Sequence, residues 1–166
     1  MVKLTKLSVD ISLLTLKTNE MLMSQFEKDN NLKILELFGS FLDFKTRVPA
    51  SVKSLHLHIS RGQGNGAIEL SGANKNITEL HLNDAKSIKL LLSTQYLYSS
   101  LRYLAISSGH LSFEYFTTYF NPTHFKELAV VFLGNRQWIS KFSKPFQSWN
   151  IHLCKTYKEY CRLLTQ

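Results

Sequence analysis

Ile77-Thr78-Glu79-Leu80-His81-Leu82 is a hexamer with an apolar residue at its first, fourth and sixth positions. The pattern recurs along the chain, in seven copies that begin near residues 4, 32, 52, 77, 101, 125 and 148, the last copy being degenerate. The distances between starts, 20 to 28 residues, lie in the range of about 20 to 29 that is typical of short strand-containing repeats. The sequence therefore predicts one structural unit used about seven times.

The hexamer predicts a short β-strand in each repeat. Side chains two residues apart on a strand point to one face, so Leu80 and Leu82 would both enter the core. A single repeat cannot bury that face, but stacked repeats can, and their strands then pair in parallel. We expect an α/β fold in which residues 1–166 form one domain.

The segments between the strands differ in their predicted structure. Apolar spacing predicts helices over Leu14–Lys28, Ile88–Tyr98 and Phe113–Phe120. The segment Phe41–Ala50 is short and contains a proline, which favours an irregular or 3₁₀ conformation. The glycine-rich segment Arg61–Gly66 is expected to be a loop.

With these hexamers and helical returns, nearly the whole chain resembles the leucine-rich-repeat family, most closely the irregular repeats of F-box substrate receptors and ribonuclease-inhibitor-like proteins. The resemblance implies a solenoid with a curved parallel sheet on its concave side and helices and irregular returns on its convex side. That family usually places Asn or Cys three residues after the hexamer. Here the positions hold Ser12, Ser40, Ser60, Ala85, Gly109, Leu133 and Thr156. This favours closure by packing over a buried amide network.

Strand alternation also predicts which side chains face solvent on the concave surface. From the second to the fifth hexamer they are a mixture of acidic, histidine and aromatic residues, as in specific protein-binding faces. Neighbouring strands lie about 4.8 Å apart, so His56 and His81 should be side by side, with Glu36 on the other flank of His56. The predicted partner-binding residues are Glu36, Phe38, His56, His58, Glu79, His81, Asn83 and Tyr103.

The histidines and carboxylates of this set are residue types that suit zinc. Neighbouring positions on flat strands rarely converge on a tetrahedron, however, so we expect neither a metal nor a cofactor, while metal binding by the histidines stays open. A pH-sensitive contact is favoured instead, because histidine titrates near neutrality.

No catalytic residue is expected. Gly62–Gly66 lacks the Lys-Ser/Thr ending of a phosphate-binding loop. His152 and Cys154 share a strand, but neither an orienting group nor an oxyanion pocket accompanies them. The expected function is non-catalytic protein recognition, and a small-molecule substrate is not expected. By resemblance, the chain would be a substrate-recognition array of a ubiquitin-ligase receptor or a bacterial effector.

The net charge of +8 leaves a second function open, the binding of nucleic acid or an anionic surface. Residues 126–166 contain seven basic and two acidic side chains. The predicted basic patch comprises Arg136, Lys141, Lys144, Lys155, Lys158 and Arg162. No groove-entering motif accompanies it, which favours a solvated end.

The cysteines and the first repeat bear on compartment and assembly. Cys154 and Cys161 do not make a disulfide framework, which favours an intracellular location, in cytoplasm or nucleus. No apolar run reaches the roughly 18 residues of a membrane span. The first repeat begins at Leu4 without a polar cap, so a third alternative is a structural subunit that stacks on another chain there.

Overall fold

The computed structural model describes residues 3–28, 30–40, 45–59, 66–83, 91–107, 113–125, 128–133, 149–154, 159 and 162. They form a mixed α/β fold around a seven-stranded sheet in which every neighbouring pair of strands is parallel. In sheet order, with strands numbered along the chain, they are β1 (Lys6–Asp10), β2 (Ile34–Gly39), β4 (Ser54–Ile59), β6 (Glu79–Leu82), β8 (Tyr103–Ile106), β9 (Ala129–Leu133) and β10 (Asn150–Cys154). The sheet is open, with β1 and β10 at its edges. The predicted α/β class and parallel sheet are confirmed.

The hexamer leucines form buried rows across this sheet. Leu35, Leu55, Leu80 and Leu104 pair with one another on successive strands, and each is fully buried. The next inward position forms a second row two residues later, which contains Leu37, Leu57, Leu82 and Ile106. Regular rows arise because β2, β4, β6 and β8 begin in the same way: one carbonyl just before the preceding strand of the sheet accepts hydrogen bonds from two successive N–H groups. The Lys53 carbonyl, for example, accepts from Thr78 at 2.9 Å and Glu79 at 3.1 Å.

The sixth hexamer is shifted by two residues from its predicted register. Leu104 pairs with Val130 rather than with Leu128, the residue that the hexamer aligns with it. Asn150 on β10 donates to the Leu128 carbonyl at 2.9 Å, the role that the Arg102 carbonyl has towards Ala129. A shift of two residues keeps every side chain on its own face, so Val130 takes the place beside Leu104 while Leu128 is also buried in the core.

A second sheet, which the sequence analysis did not predict, lies in the segments between the main strands. It is parallel and consists of β3 (Lys45–Arg47), β5 (Ala67–Glu69) and β7 (Leu91–Leu92). The expected helix over Ile88–Tyr98 is therefore wrong where the structure describes it, because Leu91–Leu92 is a strand and Thr94–Leu97 a 3₁₀ turn. Ile68 and Leu91 join the same core as the hexamer leucines, and this long-range packing overrides the local helical spacing.

Two helices have both bounds within the described residues, α1 (Leu16–Lys28) and α2 (Phe113–Tyr119). Both were predicted. The helix α1 buries Phe26 and α2 buries Phe116, so each adds one aromatic side chain to the core. No helix in the described part of the chain is long and apolar enough to cross a membrane.

Buried amides join the segments between the strands, so the expectation of closure by packing alone is wrong. Asn74 is fully buried and donates to the carbonyl oxygens of Val48 at 3.0 Å and Pro49 at 3.2 Å. Asn19, on α1, donates to the Lys45 carbonyl at 3.3 Å. Neither asparagine lies three residues after a hexamer, which is the position where the leucine-rich-repeat family usually carries Asn or Cys. Val48 and Pro49 are buried, so their carbonyls need donors, and Asn74 supplies them.

Candidate functional site

The candidate site is the face of the seven-stranded sheet opposite the hexamer leucines, here called the outer face. Strand alternation and register bring the predicted residues together on it. Glu36, His56 and His81 are neighbours on β2, β4 and β6, and Phe38 pairs with His58. On the other side of β6, Tyr103 of β8 pairs with Glu79. The predicted side-by-side placement of His56 and His81 is confirmed.

The expectation that all these side chains face solvent is wrong for the two central histidines. His56 and His81 are only 6% and 5% exposed. They shield each other, because their rings stack with centroids 3.9 Å apart and planes 14° from parallel. Phe38 and Tyr103 remain 39% and 37% exposed, and His58 and Asn83 are exposed as well.

Each stacked ring is also held by the residue two positions before it on its own strand. His56 Nε2 lies 2.8 Å from the hydroxyl of Ser54, and His81 Nε2 lies 2.5 Å from Glu79 Oε1. Ser54 and Glu79 are themselves paired across β4 and β6. Both rings therefore turn the same nitrogen towards the same end of the strands.

Glu36 closes the other flank of the stack. One of its oxygens lies 2.8 Å from Lys6 Nζ and 3.3 Å from His56 Nδ1, and Ser8 donates a hydrogen bond to the other. Partial burial opposes ionisation of this carboxyl. The hydrogen bonds from Lys6 and Ser8, with the charges of Lys6 and His56, outweigh that effect and lower the Glu36 pKa below its usual 4.5.

Burial also sets the protonation of the histidines. Burial lowers the pKa of His56 from 6.5 to about 4, and repulsion from His81 lowers it further. The attraction of Glu79 and Glu36 raises this pKa but does not outweigh the two lowering effects. Burial lowers the pKa of His58 too, again against the attraction of Glu36. His56 is therefore neutral at pH 7, and its 3.3 Å approach to Glu36 is not an ion pair there.

No protein-family model matches this chain, and no curated protein sequence and no solved structure shows significant similarity to it. The arguments about function therefore depend on the residues and their geometry.

Most of the predicted basic patch lies outside the described residues, namely Arg136, Lys141, Lys144, Lys155 and Lys158. Arg162 is described and is exposed. The residues His152 and Cys154 lie on β10, but their side chains are outside the described part of the structure. In the glycine-rich loop, only Gly66 is described. Binding of nucleic acid through the C-terminal third thus stays a prediction.

Three further side chains complete the cluster, Lys6, Ser8 and Ser54. Strand alternation places them on the same face, but the predicted partner-binding set did not include them. All three lie on the outer face, and each contacts a predicted residue, Lys6 and Ser8 contacting Glu36 and Ser54 contacting His56. The signal that finds them is already in the sequence. They occupy the same strand positions as Ile34, Glu36 and Glu79, one repeat away.

Proposed function

We propose that this chain is a non-catalytic protein-interaction module, a leucine-rich-repeat array of about seven repeats that docks another protein on its outer face. The repeat assignment is supported by the constant hexamer and by parallel strands that follow one another in chain order along most of the sheet. Each repeat then supplies one strand and one return segment, which is the logic of a solenoid.

The observation that carries the docking proposal is the pair of exposed aromatics on the outer face. Phe38 is 39% and Tyr103 37% exposed, and they lie on β2 and β8, on either side of the buried histidine stack. Aromatic side chains are enriched in the cores of protein interfaces, and Tyr is enriched among the few residues that dominate the binding free energy. The polar side chains near them, Glu36, His58 and Asn83, would provide directional contacts to the partner.

The class of partner follows from the same surface together with the family resemblance. A protein partner with an apolar anchor for each aromatic and a donor for Glu36 would fit it. On this proposal the chain acts inside the cell as an adaptor, as the substrate-recognition array of a ubiquitin-ligase receptor or as a bacterial effector.

The test is affinity capture of the tagged full chain from its native cells, at moderate salt and after nuclease treatment. We expect a discrete protein that wild type retains and that a Phe38→Ala, Tyr103→Ala double variant loses. With the purified partner, each single variant should weaken binding by about 1 to 2 kcal/mol. Leu92→Ala is the matched control, because Leu92 is 38% exposed but lies on the second sheet.

Equal capture by wild type and the double variant would contradict docking on the outer face. Loss of the captured proteins on nuclease treatment would instead favour nucleic acid as the partner.

A second candidate function, a structural subunit that stacks on another chain, is favoured by one observation. The segments before and after the edge strand β1 expose four large apolar side chains. They are Leu4 at 44%, Leu13 at 80%, Leu16 at 57% and Met21 at 61% exposed. On this reading the purified chain self-associates, and light scattering that shows a monomer at all concentrations would exclude it.

A further inference from the structure

The cluster at the centre of the outer face has the composition and geometry of a metal site. His56, Glu79 and His81 each offer one ligand atom, and these three atoms lie within 4.8 Å of one another. We propose that His56, Glu79 and His81 bind one divalent transition-metal ion of the zinc type. The proposal does not depend on the protein-docking function, because it concerns the buried stack and not the exposed aromatics.

The orientation of the two rings places both candidate ligand nitrogens on one side of the stack. Both Nε2 atoms point towards the residue two positions earlier, and the rings lie in register on neighbouring strands. The two nitrogens are thus on the same side of the stack, next to the Glu79 carboxylate. The Glu79 carboxylate, on β6, supplies a third ligand that the two histidines alone lack.

The adjustment that metal binding requires is small. Zinc takes imidazole nitrogen and carboxylate oxygen at about 2.0 to 2.2 Å, so tetrahedral ligand atoms lie roughly 3.4 Å apart. The most distant pair must close by at most about 1.4 Å, since all three atoms lie within 4.8 Å of one another. His81 Nε2 and Glu79 Oε1, which are 2.5 Å apart, must separate by roughly 0.9 Å. Because parallel rings cannot both aim at one ion, each ring must also rotate about its Cβ–Cγ bond. The hydrogen bond between His81 and Glu79 needs one proton, and the ion replaces that proton.

The surroundings of His56 also suit a ligand. Glu36 Oε1 lies 3.3 Å from Nδ1, the nitrogen on the other side of the ring from the proposed ion. A carboxylate in this place holds the proton on Nδ1 and leaves the Nε2 lone pair for the metal. Three protein ligands leave a fourth position for water or for a group of a partner.

The experiment titrates Co²⁺ into the purified, metal-free full chain and follows its visible absorption, and then displaces Co²⁺ with Zn²⁺. We expect one ion per chain and a rise in the thermal midpoint with Zn²⁺. His81→Ala and the nearly isosteric Glu79→Gln should each weaken Zn²⁺ binding at least tenfold. Glu36→Gln should weaken it by about 10 to 100-fold through the orientation of His56.

The matched control is His124→Gln, which removes an exposed histidine that stacks on Tyr98 away from the cluster. It should bind Zn²⁺ like wild type. Circular dichroism shows whether each variant is folded, and Glu79→Gln keeps the test decisive if His81→Ala does not fold. Absence of Zn²⁺ binding by the folded wild type, or unchanged affinity in Glu79→Gln, would overturn the proposal. Neither result would affect the capture experiment with Phe38 and Tyr103.

Discussion

The imidazole rings of His56 and His81 stack at a centroid distance of 3.9 Å, although 25 residues separate them in the chain. The stack occupies the middle of a sheet face that the sequence analysis expected to be open to solvent. A charge on His56 would lie against a second ring and lose most of its hydration. The stability of the fold should therefore depend on pH in a window that His56 sets.

Acidification from pH 6.5 to about 4 should destabilise the fold. The folded pKa of His56, about 4, is below its unfolded value of 6.5, so the unfolded chain binds the additional proton. The contribution is complete above pH 6.5 and is lost as the pH falls towards 4, by at most about 3 kcal/mol. His58 acts in the same direction, and the charged side chains that face the stack are those of Lys6, Glu36 and Glu79.

Urea unfolding of wild type and His56→Gln at pH 7 and pH 5 checks this prediction. His56→Gln should be less stable at pH 7, but its stability should fall less between the two pH values. The same fall in both proteins would mean that His56 does not set the window.

Glu36→Gln should reduce the free energy of unfolding above pH 4.5 by about 1 kcal/mol. The substitution removes the charge that Lys6 approaches at 2.8 Å, and that pair is partly exposed, which limits its value. Because the Glu36 pKa is lowered, this stabilisation is present above 4.5 and lost as the pH falls through the folded pKa. Glu69→Gln is the control. Its distances to Lys45 and Arg47, 3.8 and 3.7 Å, are longer, so its effect should be smaller.

Asn74→Ala should destabilise the fold by about 2 to 3 kcal/mol. The substitution leaves the buried carbonyls of Val48 and Pro49 without the donor that Asn74 supplies, and such groups are costly. Asn76→Ala removes an exposed amide with one 3.4 Å bond to Ala50, and should change stability by less than about 0.5 kcal/mol. Chemical denaturation of both variants measures the difference. Similar losses of stability in the two variants would show that the buried amide of Asn74 stabilises the fold no more than the exposed amide of Asn76.

Gly39→Ala should destabilise the fold by about 1 to 3 kcal/mol, since Gly39 ends β2 with φ +109°, a conformation that other residues rarely adopt. An added Cβ would overlap the Asp10 carboxylate and lie 2.7 Å from the Ser12 hydroxyl. In Gly72→Ala the nearest atom, on Tyr96, is 3.8 Å away, so that variant should be close to wild type in stability. The thermal midpoints of the two variants measure this difference. A Gly39→Ala variant with the same midpoint as Gly72→Ala would contradict the prediction.

Sequence alone predicted the strands of the seven-stranded sheet, their parallel pairing and the adjacency of Glu36, His56 and His81, because a period of two residues and a recurring hexamer are local properties. It also predicted α1 and α2 from their apolar spacing. The same strand alternation places Lys6, Ser8 and Ser54 on the outer face, but it does not show that they contact Glu36 and His56.

The tertiary structure decided what alternation leaves undetermined. A two-residue shift preserves the inner and outer faces, so the sequence could not distinguish Val130 from Leu128 as the partner of Leu104. The second sheet needs contacts between three return segments, and the burial of the histidine stack needs two strands to hold the rings together. Each of these features depends on contacts between residues about 20 or more positions apart. Such contacts stabilise the fold only after the strands have paired, so the local sequence pattern does not reveal them.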